Sequence, residues 1–398
     1  MIEFEKDVPN KKLPTVSIKV IGVGGAGGNT VNSIIASGAN GIECIVANSD
    51  GQALNLSKAE QKIQLGVKST KGLGTGSNPD LGKRAAEEDL DKVLESVEDA
   101  DIVFLAAGMG GGTGSGAAPV IARALKERDI LSIAIVTKPF LFEGKRRARI
   151  AEEAITALEK EVDTLIVLPN QKLLDVVDDN VSMIDAFGMM NAILSQSVKG
   201  ISDIITRPGH INVDFSDVRT IMKDMGLAIM GTGTATGPDR AQDAAIQAIS
   251  SPLFENMNIT GAKGVLLNIT GGKNLGLHEM SQAASIIYDE ADEDANIILG
   301  SVIDESLTDE VIVTIIATGF EDEQKKRMEK EPFKTASVAV EQKQEHIVKK
   351  EESLFTQEKL QEKKQEAVEI KEKSNLPSAL VDLDVPTFLR KSLEEKDL

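Results

Sequence analysis

Six of the nine residues in the stretch GMGGGTGSG, positions 108–116, are glycine. Glycine inside a regular element costs roughly 0.5–1 kcal/mol against alanine, so such a run implies a need for bare backbone. It follows the apolar run DIVFLAAG and precedes the helical pattern AAPVIARAL. A strand that turns through glycines into a helix presents several backbone N–H groups in one concavity, which suits an anion. Thr113 and Ser115 can add hydroxyl donors. The stretch therefore demands a strand–loop–helix unit of the kind found in α/β sheets.

A second glycine loop lies earlier. GVGGAGGN, residues 22–29, leaves the strand-like run TVSIKVIGV and satisfies G-x-G-x-x-G through Gly22, Gly24 and Gly27. Alone, this pattern also fits a Rossmann oxidoreductase, for which Asp50 lies near the distance expected of a ribose-binding acid. Two such loops on neighbouring strands point instead to a triphosphate held from two sides. A third run, GTGTATGPDRAQ at 231–242, reads as structural, with Pro238 suited to the first turn of a helix. Neither G-x-x-x-x-G-K-[ST] nor G-x-S-x-G occurs, so a P-loop NTPase and a serine-hydrolase elbow are unsupported.

Residues 1–320 alternate between buried-strand runs and helices. IECIVAN, LSIAIVTKP and DTLIVLPN add strands, with helices expected at DLGKRAAEEDLDKVLES and AAPVIARALKER. This predicts an α/β fold with a parallel sheet and helices on both faces. VSMIDAFGMMNAILSQSVKGISDIITR reads as one long helix of roughly 38 Å. Ser182 and Asp185 resemble a capping box, Pro208 and Gly209 close the helix, and Ile184, Phe187, Ile193, Leu194, Val198 and Ile201 recur at helical spacing. GLAIMGTG, GVLLNITGG, ANIILGSVID and DEVIVTIIATGF, with helices at RAQDAAIQAI and MSQAASIIYD, predict a second, smaller α/β unit.

Charge and composition narrow the function. A net charge of −19 argues against nucleic acid as a partner. The single cysteine, Cys44, forms no internal disulfide, and His210, His278 and His346 are far apart, so no metal cluster is expected. No signal peptide and no membrane span are read from the chain. All 34 glycines precede position 321. Residues 321–375 hold 14 acids and 13 bases and few aliphatics, so a disordered tether of roughly 40 Å is expected. The tether ends in LVDLDVPTFLRKSLEEKDL, whose apolar island reads as a recognition peptide.

Gly110 to Gly116 reads GGGTGSG, the tubulin signature G-G-G-T-G-[ST]-G. With IGVGGAGGN, TKPFLFEGKRR and NVDFSDVRTIM in order, and DVPTFLR near the end, the chain resembles the tubulin/FtsZ family, and within it the members of bacterial cell division. The resemblance covers about residues 15–320. It implies an N-terminal extension at 1–14, a Rossmann-like GTPase domain at 15–180, a central helix at 181–206 and an activation domain at 207–320. A charged linker at 321–378 and an adaptor-binding peptide at 379–398 would follow.

The resemblance also implies site residues. GTP or GDP would be held by Gly25, Ala26, Gly27, Gly28 and Asn29, and by Gly110, Gly111, Gly112, Thr113 and Gly114. Glu143 and Arg147 look like a ribose-contacting pair. Phe187 would stack on guanine, and Asn191, one turn on, would offer its amide. Asp214 and Asp217, helped by Asn212, would activate water against the nucleotide of the next subunit, with Mg²⁺ offsetting charge. A head-to-tail homopolymer follows, since a heterologous contact does not close. Asp384, Val385, Pro386, Phe388, Leu389 and Arg390 would bind membrane adaptors of the FtsA/ZipA kind, giving a division ring without membrane insertion. Filament GTPases of plasmid partition or cell shape are the nearer alternative; the oxidoreductase is the remoter one.

Overall fold

The computed structural model describes residues 16–320, apart from 40, 175–176, 178–179, 208, 210, 212 and 252–258. The extension at 1–14, the linker and the tail peptide lie outside the described residues. So do Pro208, His210, Asn212 and His346.

Six strands run parallel: β1 (Ile18–Val23), β2 (Ile42–Asn48), β3 (Gln61–Gln64), β4 (Ile102–Gly108), β5 (Leu131–Lys138) and β6 (Thr164–Pro169). Their spatial order is β3-β2-β1-β4-β5-β6. Parallel neighbours need crossovers. These use α1 (Gly24–Ala36), α2 (Gly51–Leu56), α3 (Pro79–Glu88), α4 (Leu90–Glu95), α5 (Thr113–Lys126) and α6 (Lys145–Glu159). Alternate residues of each strand face opposite sides. On β1, Ile18 and Val20 join the core under α1, whereas Ile21 and Val23 join the core under α3, α5 and α6.

A short α7 (Asn170–Leu173) leads toward the central α8 (Met183–Thr206). Ser182 caps α8, accepting from the Asp185 N–H at 3.1 Å. The 24 residues of α8 span about 36 Å. Leu194, Val198, Ile201 and Ile204 share one core with β1, β4 and β5 and with Met230, Leu266 and Ile316 of the later strands. Ile184, expected on that buried face, is 81% exposed. The first turn of α8 is exposed, and burial begins at Ala186 and Met190.

Beyond α8 come α9 (Phe215–Met222), β7 (Gly226–Thr236), α10 (Arg240–Ile249), β8 (Gly264–Gly271), α11 (Leu277–Glu290), β9 (Asn296–Ile303) and β10 (Glu310–Thr318). β10 lies antiparallel between β7 and β8, and β8 is parallel to β9. This smaller α/β unit has its own core under α10 and α11. Its sheet joins the first through β6 and β7, where Thr164–Ile166 pair with Gly226–Ala228, making ten strands in all.

Three local readings change. β3, with sequence QKIQ, is too short and polar to announce itself. The helix expected over 80–96 breaks at Asp89, whose buried carboxylate accepts from the N–H groups of Gly66 and Val67 at 2.8 and 3.2 Å. The run at 231–242 is structural, as expected: a Cβ on Gly233 would stand 1.9 Å from Ala244 O, so the glycine lets α10 approach β7. Pro238 precedes α10, whose N-cap is Asp239, instead of entering its first turn.

The glycines of α1 divide by the same test. A Cβ on Gly27 would lie 2.2 Å from Ala106 O, whereas one on Gly25 meets nothing within 4 Å. Gly27→Ala is expected to lower unfolding free energy by about 1–3 kcal/mol in a denaturant titration. Gly25→Ala should stay within roughly 0.5 kcal/mol of the parent.

Candidate functional site

β1 and β4 are neighbours, and their C-terminal ends deliver α1 and α5 to the same edge of the sheet. The first N–H groups of a helix lack intrahelical partners and carry the positive end of its dipole. At α2, α3, α8 and α9 a side chain of Asp50, Asn78, Ser182 or Asp214 accepts from them. At α1 and α5 no side-chain cap is present. The two bare ends adjoin: a Cβ on Gly24, where φ is +73°, would lie 3.1 Å from the Gly114 nitrogen. Two unsatisfied helix starts thus converge, and the combination favours a multiply charged anion.

Between them opens a cleft of about 240 Å³. Gly25 and Ala26 form one wall and Gly111, Gly112, Thr113 and Gly114 another. Glu143, Arg147 and Phe187 line the remainder, so these nine of the expected residues are brought together. Arg147 Nη1 donates to Glu143 Oε2, and Glu143 Oε1 accepts from the Phe140 N–H at 3.0 Å. Phe187 is 38% exposed and meets Phe140 edge to face at 5.3 Å. Phe140 in turn stacks on Phe142 at 4.9 Å, which backs the Phe187 ring from outside the cleft lining.

Five expected residues do not line the cleft. Gly27 is sealed against β4, as above. Gly28 and Asn29 lie one turn into α1, where their N–H groups are used inside the helix. The Gly110 N–H is taken by Ser115 Oγ at 2.9 Å, so Gly110 and Ser115 brace the loop from within. Asn191 is half-buried on α8, one turn beyond Phe187. The Thr113 hydroxyl bonds with Ser49 Oγ at 2.7 Å and Thr75 Oγ1 at 3.3 Å, which ties the loop to two distant segments.

Sequence reasoning missed Thr75, Thr137, Pro139 and Asn170, which also line the cleft. Asn170 is 6% exposed, and its side-chain oxygen has no hydrogen-bond partner. A buried unpaired acceptor beside a cleft fits a ligand hydroxyl or N–H donor. Its position at the C-terminal end of β6, in LPN, was the available signal.

Asp214 and Asp217 sit elsewhere. Asp214 Oδ1 accepts from the Asp217 N–H at 2.9 Å, and both side chains are exposed. The far end of α9 binds the N-terminal edge of the parallel strands: Met222 O accepts from Thr164 Oγ1, and Arg219 reaches Asp129, just ahead of β5. The glycine loops occupy the C-terminal edge, one strand length away, or about 26 Å for the eight residues of β5. Asn212 and residues 384–390 lie outside the described residues.

Other chemistries lose their residues. Asp50, the acid an oxidoreductase would need, is spent capping α2, accepting from Gln52 and Ala53 N–H at 2.8 and 3.3 Å. Burial pushes the Cys44 thiol up to about 11, away from nucleophilic use. Among the described residues, no group of His, Cys, Asp or Glu could hold a metal ion. No described helix is long and apolar enough to cross a membrane.

Residues 17–178 match the GTPase domain of the Tubulin/FtsZ family, and residues 226–321 match the C-terminal domain of the FtsZ family. The chain belongs to the tubulin/FtsZ family. FtsZ from M. jannaschii, solved as an empty dimer, is 39% identical, with 77% of this chain and 89% of that one covered and a TM-score of 0.73. Two more distant structures share the fold. CetZ2 from Haloferax volcanii, a GTPγS-bound protofilament, is 20% identical, covering 83% and 100% of the two chains at a TM-score of 0.66. CetZ1 from the same organism, a GDP-bound monomer, is 24% identical, covering 77% and 95% at 0.67. Membership in this family makes the chain a nucleotide-binding GTPase of the tubulin/FtsZ type.

Asn170→Ala is expected to leave the melting temperature of the nucleotide-free protein unchanged or slightly higher, because an unpaired acceptor is removed. The dissociation constant for GTP, read by nucleotide titration, should rise about three- to tenfold, the worth of one neutral hydrogen bond.

Proposed function

We propose that this protein polymerises head to tail into filaments that hydrolyse GTP at the junction between subunits, and that these filaments form the ring that constricts a dividing cell. One observation carries the reading. Asp214 and Asp217 do not line the anion-binding cleft, and the helix that carries them is anchored by its last turn at the opposite edge of the parallel strands. No single molecule can bring both to one phosphate. A second copy, stacked end on end, can.

In this reading Gly25, Ala26 and Gly111 to Gly114 hold the phosphates through backbone N–H groups. Phe187 offers a face to the base, Glu143 and Arg147 flank the sugar, and Asn170 accepts from it. Gly27, Gly28, Asn29 and Gly110 shape the loops, and Asn191 stays within reach of the guanine edge through α8. Asp214 and Asp217 of the neighbouring subunit, with Asn212, orient the attacking water. Mg²⁺ would supply charge compensation there, and it needs few protein ligands where phosphate oxygens are available. Hydrolysis then depends on assembly, and loss of the terminal phosphate weakens the contact that made it possible. The solved states of these relatives, a dimer and a protofilament, agree with self-association.

The charged linker and DVPTFLR tail suit a tethered peptide that reaches adaptors of the FtsA/ZipA kind on the inner face of the membrane. The filament would then sit in the cytoplasm at midcell with no membrane segment of its own.

Light scattering and phosphate release, followed together as protein concentration rises with GTP and Mg²⁺, should show one shared threshold. Full-rate hydrolysis by strictly monomeric protein would end the proposal. Asp214→Ala should bind GTP normally and lose most turnover. Mixing it with a nucleotide-pocket variant should restore part of the rate at mixed junctions. Deleting residues 380–398 should leave polymerisation and GTPase intact while abolishing adaptor binding.

A further inference from the structure

Helices α5 and α9 end beside each other, and each is closed by a turn containing an aspartate in the left-handed conformation. Asp129 follows α5 and Asp224 follows α9, both at φ 55°. Glycine adopts this conformation freely, whereas an L side chain is strained in it. Each carboxylate crosses to the other helix. Asp129 Oδ2 accepts from Arg219 Nη2 at 2.7 Å, and Asp129 Oδ1 accepts from Lys223 Nζ at 2.8 Å. In the opposite direction, Lys126 Nζ lies 3.3 Å from Asp224 Oδ1. Lys223 and Arg219, by hydrogen bond and by charge, hold the Asp129 carboxyl below the usual carboxylate range.

The two helices carry the two halves of the proposed reaction centre. α5 begins at Thr113 in the cleft, and its 14 residues make a strut of about 21 Å. α9 begins at Asp214 and carries Asp217 in its first turn. Val218, Ile221 and Met222 seat α9 on the core and fix its depth. Apolar packing along one face leaves rotation about the helix axis softer. The crossed ion pairs act on the solvent side, where that rotation would show.

We infer that Asp129 and Asp224 are positioning residues, which lock α9 to the α5 strut and so set the direction in which Asp214 and Asp217 are presented to the next subunit. The inference rests on the shared-site reading above.

The test uses full-length Asp129→Gly and Asp129→Asn. The first relieves the backbone and the second tolerates it, so neither should melt below the parent. GTP turnover per pelleted subunit should nevertheless fall about threefold in both, as loss of exposed ion pairs would give, with KM for GTP unchanged. Added salt should slow the parent toward the variants and leave the variants alone. Parental turnover in both, with the parental salt response, would overturn the inference, as would a loss of rate explained by a lower melting temperature in both. Asp214→Ala assayed in parallel separates the two readings. If it keeps full turnover, the shared site fails and the positioning role with it. If it is inactive while both Asp129 variants run at the parental rate, the positioning role alone fails.

Discussion

The side-by-side pairing of β1 and β4 is the contact on which the site depends. Their register, Ile18 opposite Ile102 through Val23 opposite Ala107, ends both strands at the same height. Two helices therefore start within a few ångströms of each other, both without caps and both aimed at one space. Each start contributes unpaired N–H groups and part of a helix dipole. Their convergence turns a weak general preference for anions into a site that suits several charges in a row. Glycine is required at the closest approaches: Gly22 against Gly27, Gly24 against Gly114, and Gly112 against Thr75, where a Cβ would stand 2.2 Å from the hydroxyl oxygen.

A parallel sheet has chemically different ends, and this protein uses both. Helix starts gather at the C-terminal edge of the strands, so phosphate recognition belongs there. The N-terminal edge has only helix ends and returning loops. α9 is placed at that edge by contacts from its last turn to Thr164 and Asp129. The edge that anchors α9 lies about one strand length from the phosphate loops, which is the separation the proposed self-association would bridge. α8 and the β6–β7 pairing make the two ends mechanically continuous, since one core runs from α1 to β10 without a break. A sliding or loosely tethered second unit would not hold carboxylates at a fixed distance from a neighbour's phosphates.

Much of this was legible before folding. The alternation of β-branched runs with helical patterns and the two glycine loops were enough to place α1 and α5 after strands, because strand and helix periods and glycine's freedom are local properties. Ser182 could be read as a cap for the same reason. The motif run from IGVGGAGGN to NVDFSDVRTIM then identified the family, whose GTPase and C-terminal domains the chain matches. Less was legible wherever a residue's role depends on something distant in sequence. Ser115 looked like a donor to a ligand but is buried, does not line the cleft and accepts from the Gly110 N–H. Asp50 looked like a cofactor acid but caps α2.

The sequence by itself determined which of the longer apolar and periodic segments become strands and helices, where the chain must turn without side chains, and which chemistry its motifs resemble. These follow from backbone conformational preference and from the spacing of apolar groups along a few turns. Tertiary structure alone decided which of the glycines face the cleft, that Asn170 joins them with an unsatisfied oxygen, and that Asp89 splits a helix to satisfy two amides. It also decided that the helix carrying Asp214 and Asp217 is anchored at the edge of the sheet opposite the phosphate loops. Those outcomes depend on strand order and on contacts between residues far apart in the chain, and no local preference encodes a distance of that kind.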